Sequence, residues 1–339
     1  MVFTFLLAAL VTTLTLGALH GSNILTLAKQ ALVDSPLLFF AFVMLTEPLT
    51  TPPTKTLQIW YGGLVGFLFA PQVHFAGLYF SPELALVAGN IFSYAVSPKQ
   101  KLVLTLKQKI KRSADVYDFI FTPAKKMNFK PGQYLEWTLG HKSPDSRGNR
   151  RYFTIASAPT ETEMLIGLKF YPKPSSFKHS LLNLKPGQQL IAGQLAGDFT
   201  MPKNAGTKLV FIAGGIGITP FRSMIKYLLD TRQKRPIILF YANRTPEDIV
   251  YKEIFDKAQT ELGIKTVYTV TENKNLPDNW QGEMGRINEQ MIKTKVPDFK
   301  ERMFYLSGPR SMVNSFEQIL SNLGVPSHNI KTDFFPGLV

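Results

Sequence analysis

The stretch 209–229 constrains the fold more than any other. Leu209, Val210, Phe211, Ile212 and Ala213 form a short apolar run, read as a buried parallel strand. Gly214, Gly215 and Gly217 follow, so side chains are missing where a ligand or backbone approaches. Thr219 is placed to cap a helix, and Pro220 suits its first turn. Phe221, Met224, Ile225, Leu228 and Leu229 then recur at helical spacing as its apolar face. Strand, glycine turn and helix N-terminus together make an anion site, because free N–H groups and the positive dipole end favour a diphosphate. A tight strand-to-helix turn that binds nothing would use the same residues. The turn is not G-x-G-x-x-G, since Pro220 fills the last slot, and it has no P-loop lysine.

Three more strand-like runs, 236–243, 265–271 and 303–309, alternate with helical patterns. Thr245, Pro246, Glu247 and Asp248 read as a capped helix start after the first of them. This alternation specifies a parallel α/β sheet over 206–339, with ligands at the carboxyl ends of its strands. Upstream, 102–110 and 116–122 alternate in polarity, with a break at Gln108, and 130–138 reads as a turn and a strand. Short strands between Pro/Gly turns suggest a small antiparallel barrel over 99–205.

Charge divides the chain. Residues 1–98 carry only Lys29, Asp34, Glu47, Lys55 and Glu83, a net of −1, whereas the remainder carries +15 of the total +14. A nearly uncharged start before a basic remainder suggests membrane helices followed by a soluble part. Apolar segments at 3–19, 37–45, 57–70 and 84–96 are each short for a bilayer and together read as a compact four-helix unit, with three spans if 37–45 is re-entrant. Buried helices of a soluble domain share this signature. The basic stretch 99–112 then places the rest of the chain on the cytoplasmic side of an inner membrane. The chain has no cysteine, which removes disulfides, Cys-ligated zinc and an iron–sulfur cluster of its own. His20 and His74 do not supply the paired ligands of transmembrane haems, no metal site is expected, and no nucleic-acid motif accompanies the basic charge.

Two resemblances follow from motifs. Met44, Thr46, Glu47, Pro48, Thr50 and Pro52, with Tyr61, Gly62 and Gly66, resemble a pattern in the membrane subunits (B and D type) of Na⁺-translocating NADH:quinone reductases and Rnf complexes. That resemblance covers about the first hundred residues and implies an ion-translocating electron-transport subunit; the S-G-A-T-like motif for covalent flavin is absent. A polar interhelical turn would also account for the Thr46-Glu47-Pro48 segment.

Arg151, Phe153, Thr154, Ile155, Ala156 and Ser157 resemble the R-x-[YF]-[ST]-I-A-S signature of the ferredoxin–NADP⁺ reductase superfamily. The resemblance extends over 99–339 and implies FAD in the barrel and NADH or NADPH as substrate in the α/β domain. It implies Arg151 on the FAD pyrophosphate, Phe153 on the isoalloxazine, and Thr154 near its N5, with Tyr152 in the same run. It also implies Ser175 and Ser176 at a helix start against the diphosphate. Leu195 to Pro202 matches the family's closing strand. Ser307, Gly308 and Pro309 match its C-G-P-x-x-M motif, with Ser307 in the place of the cysteine beside the nicotinamide. Arg244 stands where the adenosine ribose is discriminated, to pair with a 2′-phosphate or to sit in solvent. Phe334 or Phe335 is placed to cover the isoalloxazine. Thr154 and Ser307 are the candidate catalytic residues.

The sequence therefore predicts transmembrane helices (1–98), an antiparallel β-barrel FAD domain (99–205) and a Rossmann-like parallel-sheet NAD(P) domain (206–339). The predicted activity is hydride transfer from NAD(P)H to FAD. Electrons then pass to a quinone, a partner flavoprotein or an iron–sulfur protein. A membrane subunit that binds nucleotide to sense redox state without turnover is the alternative of another class.

Overall fold

The computed structural model describes residues 1–46, 50–52, 54–75, 77–96, 101–272 and 276–335. Contacts divide the chain into two compact units, Met1–Gln100 and Lys101–Val339.

The first unit begins with α1 (Val2–Leu19) and α2 (Ile24–Lys29), the latter capped by the Asn23 side chain, which accepts from the N–H groups of Leu25 and Thr26. A π-turn (Gln30–Asp34), the short α3 (Leu37–Phe39) and a second π-turn (Phe40–Met44) follow. Then come α4 (Lys55–Phe69), a small hairpin of β1 (His74–Phe75) and β2 (Leu78–Tyr79), and α5 (Pro82–Val96). Gly62 and Gly66 allow α4 to lie close to α1, since a Cβ at either would press on the backbone carbonyl of Met1 or Phe5. Phe5, Phe40 and Phe69 form a buried aromatic cluster, each of the first two with its centroid 5.3 Å from Phe69. Tyr61 donates to Asn90 at 3.0 Å and ties α4 to α5.

Four independent spans are not what these helices provide. Among the described residues only α1 is by itself long and apolar enough to cross a membrane. Ile24–Asp34 and Leu37–Met44 make a second candidate only as one span bent by 56°. At 15 residues each, α4 and α5 reach roughly 22 Å at 1.5 Å per residue, short of a hydrocarbon core of about 30 Å. The helix beginning at Ile24 is not legible as an apolar segment, because Lys29 and Asp34 interrupt it. Glu47, the acidic residue of the membrane-subunit motif, lies outside the described residues.

The second unit opens with an antiparallel sheet. Its elements are β3 (Leu102–Lys111), β4 (Val116–Pro123), β5 (Tyr134–Thr138), β6 (Arg150–Thr154), β7 (Met164–Lys169), α6 (Ser176–Asn183) and β8 (Gln189–Ala196), with strand order β6-β5-β8-β3-β4-β7. The break in alternation at Gln108 is a register shift between Leu106 and Gln108. Leu104, Phe119, Phe121, Leu135 and Trp137 fill its core together with Phe177 of α6. The expected closing strand over 195–202 is displaced: β8 ends at Ala196, and Gly197, at φ 112°, turns the chain out of the sheet.

A six-stranded parallel sheet follows. It comprises β9 (Leu209–Gly214), α7 (Thr219–Thr231), β10 (Ile237–Asn243), α8 (Lys252–Leu262), β11 (Lys265–Val270), β12 (Glu283–Met284), α9 (Glu289–Lys295), β13 (Met303–Pro309), α10 (Arg310–Asn322) and β14 (Ile330–Phe335), in the order β12-β11-β10-β9-β13-β14. Every residue of β9 is buried, because helices cover both faces of a central parallel strand. Two helix starts differ from expectation. A 3₁₀ turn (Gly215–Ile218) precedes α7, so Thr219 is its first residue rather than its cap, and its hydroxyl donates to the Ile216 carbonyl at 3.2 Å. Pro246–Asp248 is a separate 3₁₀ turn, and α8 starts only at Lys252.

Between the two sheets lies a buried polar network. The carboxylate of Asp118 on β4 accepts from the Tyr251 hydroxyl and from Arg112 Nε, the latter at 2.6 Å. Arg112 and Arg222 lie over the Tyr251 ring at 5.5 and 5.6 Å. Arg222 of α7 donates to both oxygens of Glu161, at 2.5 and 2.9 Å, and to the Ala156 carbonyl at 2.8 Å. Ser223 donates to the Ser157 carbonyl at 2.6 Å. Burial raises the Asp118 pKa, and the Tyr251 and Arg112 hydrogen bonds oppose that rise. Tyr251→Phe leaves a buried carboxylate with one partner fewer, so it should cost about 1–3 kcal/mol, read from tryptophan fluorescence during urea unfolding. A change within about 0.5 kcal/mol would show that the hydroxyl does not hold the two sheets.

Candidate functional site

Strand β6 and helix α6 carry the first group of predicted residues. Alternation along β6 splits the run. Arg151 and Phe153 are partly buried on one face, whereas Tyr152 is exposed on the other and donates to Glu136 at 2.8 Å. The Arg151 guanidinium lies over the Phe177 ring at 5.4 Å, and Phe153 packs on the same ring at 5.8 Å. Arg151 Nη1 donates to the carbonyls of Arg147, Gly148 and Arg150, and its Nη2 to Asp145 at 2.7 Å. Its Nε is buried without a hydrogen-bond partner.

The two serines have separate tasks. Ser175 is the N-cap of α6, accepting from the Lys178 N–H at 3.3 Å. Ser176 opens the helix beside Asp145 and His141, which lies 3.0 Å from its hydroxyl. Burial, with repulsion from Arg147, pulls the Lys178 ammonium down to about 8. Arg147, Arg151 and the α6 N-terminus thus form one cationic corner around the Asp145 carboxylate.

The glycine turn carries the second group of predicted residues. A Cβ on Gly217 would fall inside contact with the Ser307 carbonyl and close on Gly308, so the turn after β9 meets β13 backbone to backbone. Gly214 is covered by Met312 and Pro309, and Gly215 takes φ 52°, a left-handed conformation that glycine accepts without strain. Thr219 and Pro220 are buried just beyond. Ser307 is fully buried, and its Oγ has no partner. Arg244, past the end of β10, is largely exposed and lies 3.7 Å from Asp248. Phe335 pairs with Pro309 in register, and the side chains of Phe334 and Phe335 lie outside the described residues.

The two halves converge through residues that sequence reasoning did not single out. Ser307 on β13 is in register with Asp333 on β14. Asp333 and Asp198 act electrostatically on Tyr134, and Tyr134 is the β5 partner of Thr154 on β6. Ser307 and Asp333 are thus neighbours on one sheet, and Tyr134 and Thr154 on the other. The acidic-aromatic pattern of the C-terminus was the signal for Asp333; for Tyr134 only the turn Lys130-Pro131-Gly132 before its strand pointed that way. Among the described residues no cluster of His, Cys, Asp or Glu could hold a metal.

Burial pushes the Asp333 carboxyl up to about 6. The folded state then binds its proton more tightly than the unfolded chain, at about 3.9. This group lowers stability as pH rises through roughly 4 to 6. Asp333→Asn should remove that loss and leave the protein about 1–2 kcal/mol more stable at neutral pH, with no gain at pH ~4. A fluorescence melt whose pH profile is the same in the variant would refute the assignment.

Residues 211–318 match the family model of the oxidoreductase NAD-binding domain. The chain is 29% identical over 199 residues to the glycine betaine monooxygenase reductase subunit of Pseudomonas aeruginosa, covering 58% of this chain and 53% of that one. It is 28% identical over 233 residues to NADH-cytochrome b5 reductase 1 of Aspergillus clavatus, covering 66% and 74%. Among solved structures it is similar to the Amycolatopsis cytochrome P450 reductase, with TM-score 0.62 and 21% identity over 71% of each chain. The chain thus spans about half the length of the first curated relatives it matches. The two sheets share the fold of these reductases, and the matched NAD-binding domain and the relatives support a resemblance to ferredoxin reductase-like FAD/NAD-binding oxidoreductases.

Proposed function

We propose that this protein is a membrane-anchored, FAD-dependent NAD(P)H oxidoreductase that passes electrons from the nucleotide to a separate acceptor. The observation that carries the reading is the polar joint by which Arg222 and Ser223, on the helix after the glycine turn, hold Ala156, Ser157 and Glu161 just beyond β6, so that the two proposed anion turns, on different sheets, are fixed relative to each other. FAD fits the residues present: Arg151 offers an orphaned, buried Nε and α6 offers its N-terminus. Bound there, FAD would supply hydride acceptance and release of single electrons.

The chain's own part is binding and orientation. Arg151 and the first turn of α6 hold a diphosphate, with Ser175 fixing the helix start. The turn at Gly214, Gly215 and Gly217 holds the second nucleotide, and Thr219 and Pro220 sit at the ring end of its path. Ser307 lines the reacting end without donating a covalent bond. Asp248 beside Arg244, with Glu247 next in sequence, opposes a 2′-phosphate and favours NADH over NADPH.

A protein or quinone acceptor suits a chain that has no cluster of its own. The named relatives serve as reductases for partner proteins, and the +15 charge beyond residue 98 suits an acidic partner. Exposed Phe3, Leu7 and Leu19 along α1 suit lipid, with the basic stretch after residue 98 on the cytoplasmic side. The ion-translocating reading has only the sequence motif behind it.

The full chain purified in detergent should retain FAD and reduce an artificial dye with NADH at lower concentration than with NADPH. Arg151→Ala should lower FAD affinity about tenfold or more. Unchanged FAD retention would refute the role of Arg151, and nucleotide binding without dye reduction would favour a sensor.

A further inference from the structure

The cationic corner that suits the flavin diphosphate already holds an anion from the chain itself. Asp145 lies in the turn between β5 and β6. Its Oδ1 accepts from Arg151 Nη2 at 2.7 Å and from the Arg147 N–H at 3.1 Å. Its Oδ2 accepts from the Ser176 N–H, the opening of α6, at 3.2 Å, and Arg147 Nη2 lies 3.7 Å away. The turn is fixed from the other side, because the Asp145 N–H donates to Ser176 Oγ at 2.9 Å. Partial desolvation works against the charge, but the Arg151 and Arg147 hydrogen bonds outweigh it and hold the carboxyl at about 2.

These donors are the ones a bound diphosphate would need. The Ser176 N–H carries one proton and cannot serve two anions. Arg151 spends Nη1 on three carbonyls and one Nη2 hydrogen on Asp145, which leaves Nε and the second Nη2 hydrogen. A diphosphate that used these donors would meet a carboxylate of like charge already bound to them.

We propose that Asp145 is a resident counter-anion, which holds Arg151 and the α6 N-terminus in order before FAD binds and is displaced from them by the flavin diphosphate. This rests on the assignment of Arg151 and α6 to that diphosphate. Two consequences follow. The flavin-free corner stays ordered, since Asp145 pairs with Arg151 Nη2 and the Ser176 N–H. FAD affinity is lowered, because binding includes the exchange of one anion for another. With the carboxyl at about 2, the exchange is insensitive to pH over the range in which the protein is handled.

The test is FAD binding to the flavin-free full chain in detergent, read by quenching of flavin fluorescence, for wild type, Asp145→Asn, Asp145→Ser and Arg151→Ala. Both Asp145 variants should bind FAD about tenfold more tightly than wild type. Their flavin-free forms should melt at lower temperature, and their FAD-saturated forms should not. Equal or weaker FAD binding by both variants overturns the proposal. If Arg151→Ala weakens binding in that case, the diphosphate assignment stands and only the counter-anion fails. If Arg151→Ala binds FAD as well as wild type, the diphosphate assignment fails, and the proposal with it.

Discussion

The relative placement of the two sheets depends on the buried contact between Arg222 and the loop that follows β6. Arg222 lies one turn into α7, the helix that begins at the glycine turn. Its hydrogen bonds to Glu161 and the Ala156 carbonyl, with that of Ser223 to Ser157, fasten this helix to the end of β6. Removing one partner of such a buried pair costs about 3–5 kcal/mol, because the other charge is left stranded. The signature thus has two jobs in one strand. Arg151 and Phe153 share one face of β6, and Ala156 and Ser157, just past its end, dock the helix that follows the glycine turn. Hydride transfer needs reacting atoms within about 3–3.5 Å, and in the proposed function this joint sets that distance.

Tyr251 completes the joint from α8. It takes a left-handed backbone conformation, φ 59°, unusual for a bulky residue. That conformation sends its hydroxyl to Asp118 and places its ring between Arg112 and Arg222. Gly167 on β7 is bare at this point, since a Cβ there would meet the Tyr251 hydroxyl and the Thr219 methyl. Two acidic and two basic groups balance across the seam, so the buried charge is nearly neutral. The sheets are held by directional polar contacts as well as by apolar area, which favours one relative arrangement over many.

Much of the second unit was legible because its signals are local. An unbroken apolar run is what a strand covered on both faces requires, and β9, β10 and β13 show it. The helix starts were less legible. The 3₁₀ turn before α7 and the one at Pro246–Asp248 use the same residue types as a cap, so Thr219 and Thr245 read as caps and are not. The seam was invisible for a different reason: Arg112, Asp118, Glu161, Arg222 and Tyr251 are spread over 140 positions and carry no common motif. Asp333 and Tyr134 likewise meet only through strand pairing. In the first unit, hydropathy located α1, α4 and α5, but it could not foresee the break that turns Ile24–Asp34 and Leu37–Met44 into a bent pair.

The central claim is that the glycine turn presents a reduced nicotinamide to a flavin held by β6 and α6. The most direct measurement is anaerobic rapid mixing of the FAD-loaded chain with NADH deuterated at C4, on each face in turn, while following loss of the yellow flavin absorbance. The account predicts bleaching with NADH alone, and a primary isotope slowing for one face only, because a fixed seam presents one face. Bleaching with no isotope effect from either face, or none without a second protein, would contradict it.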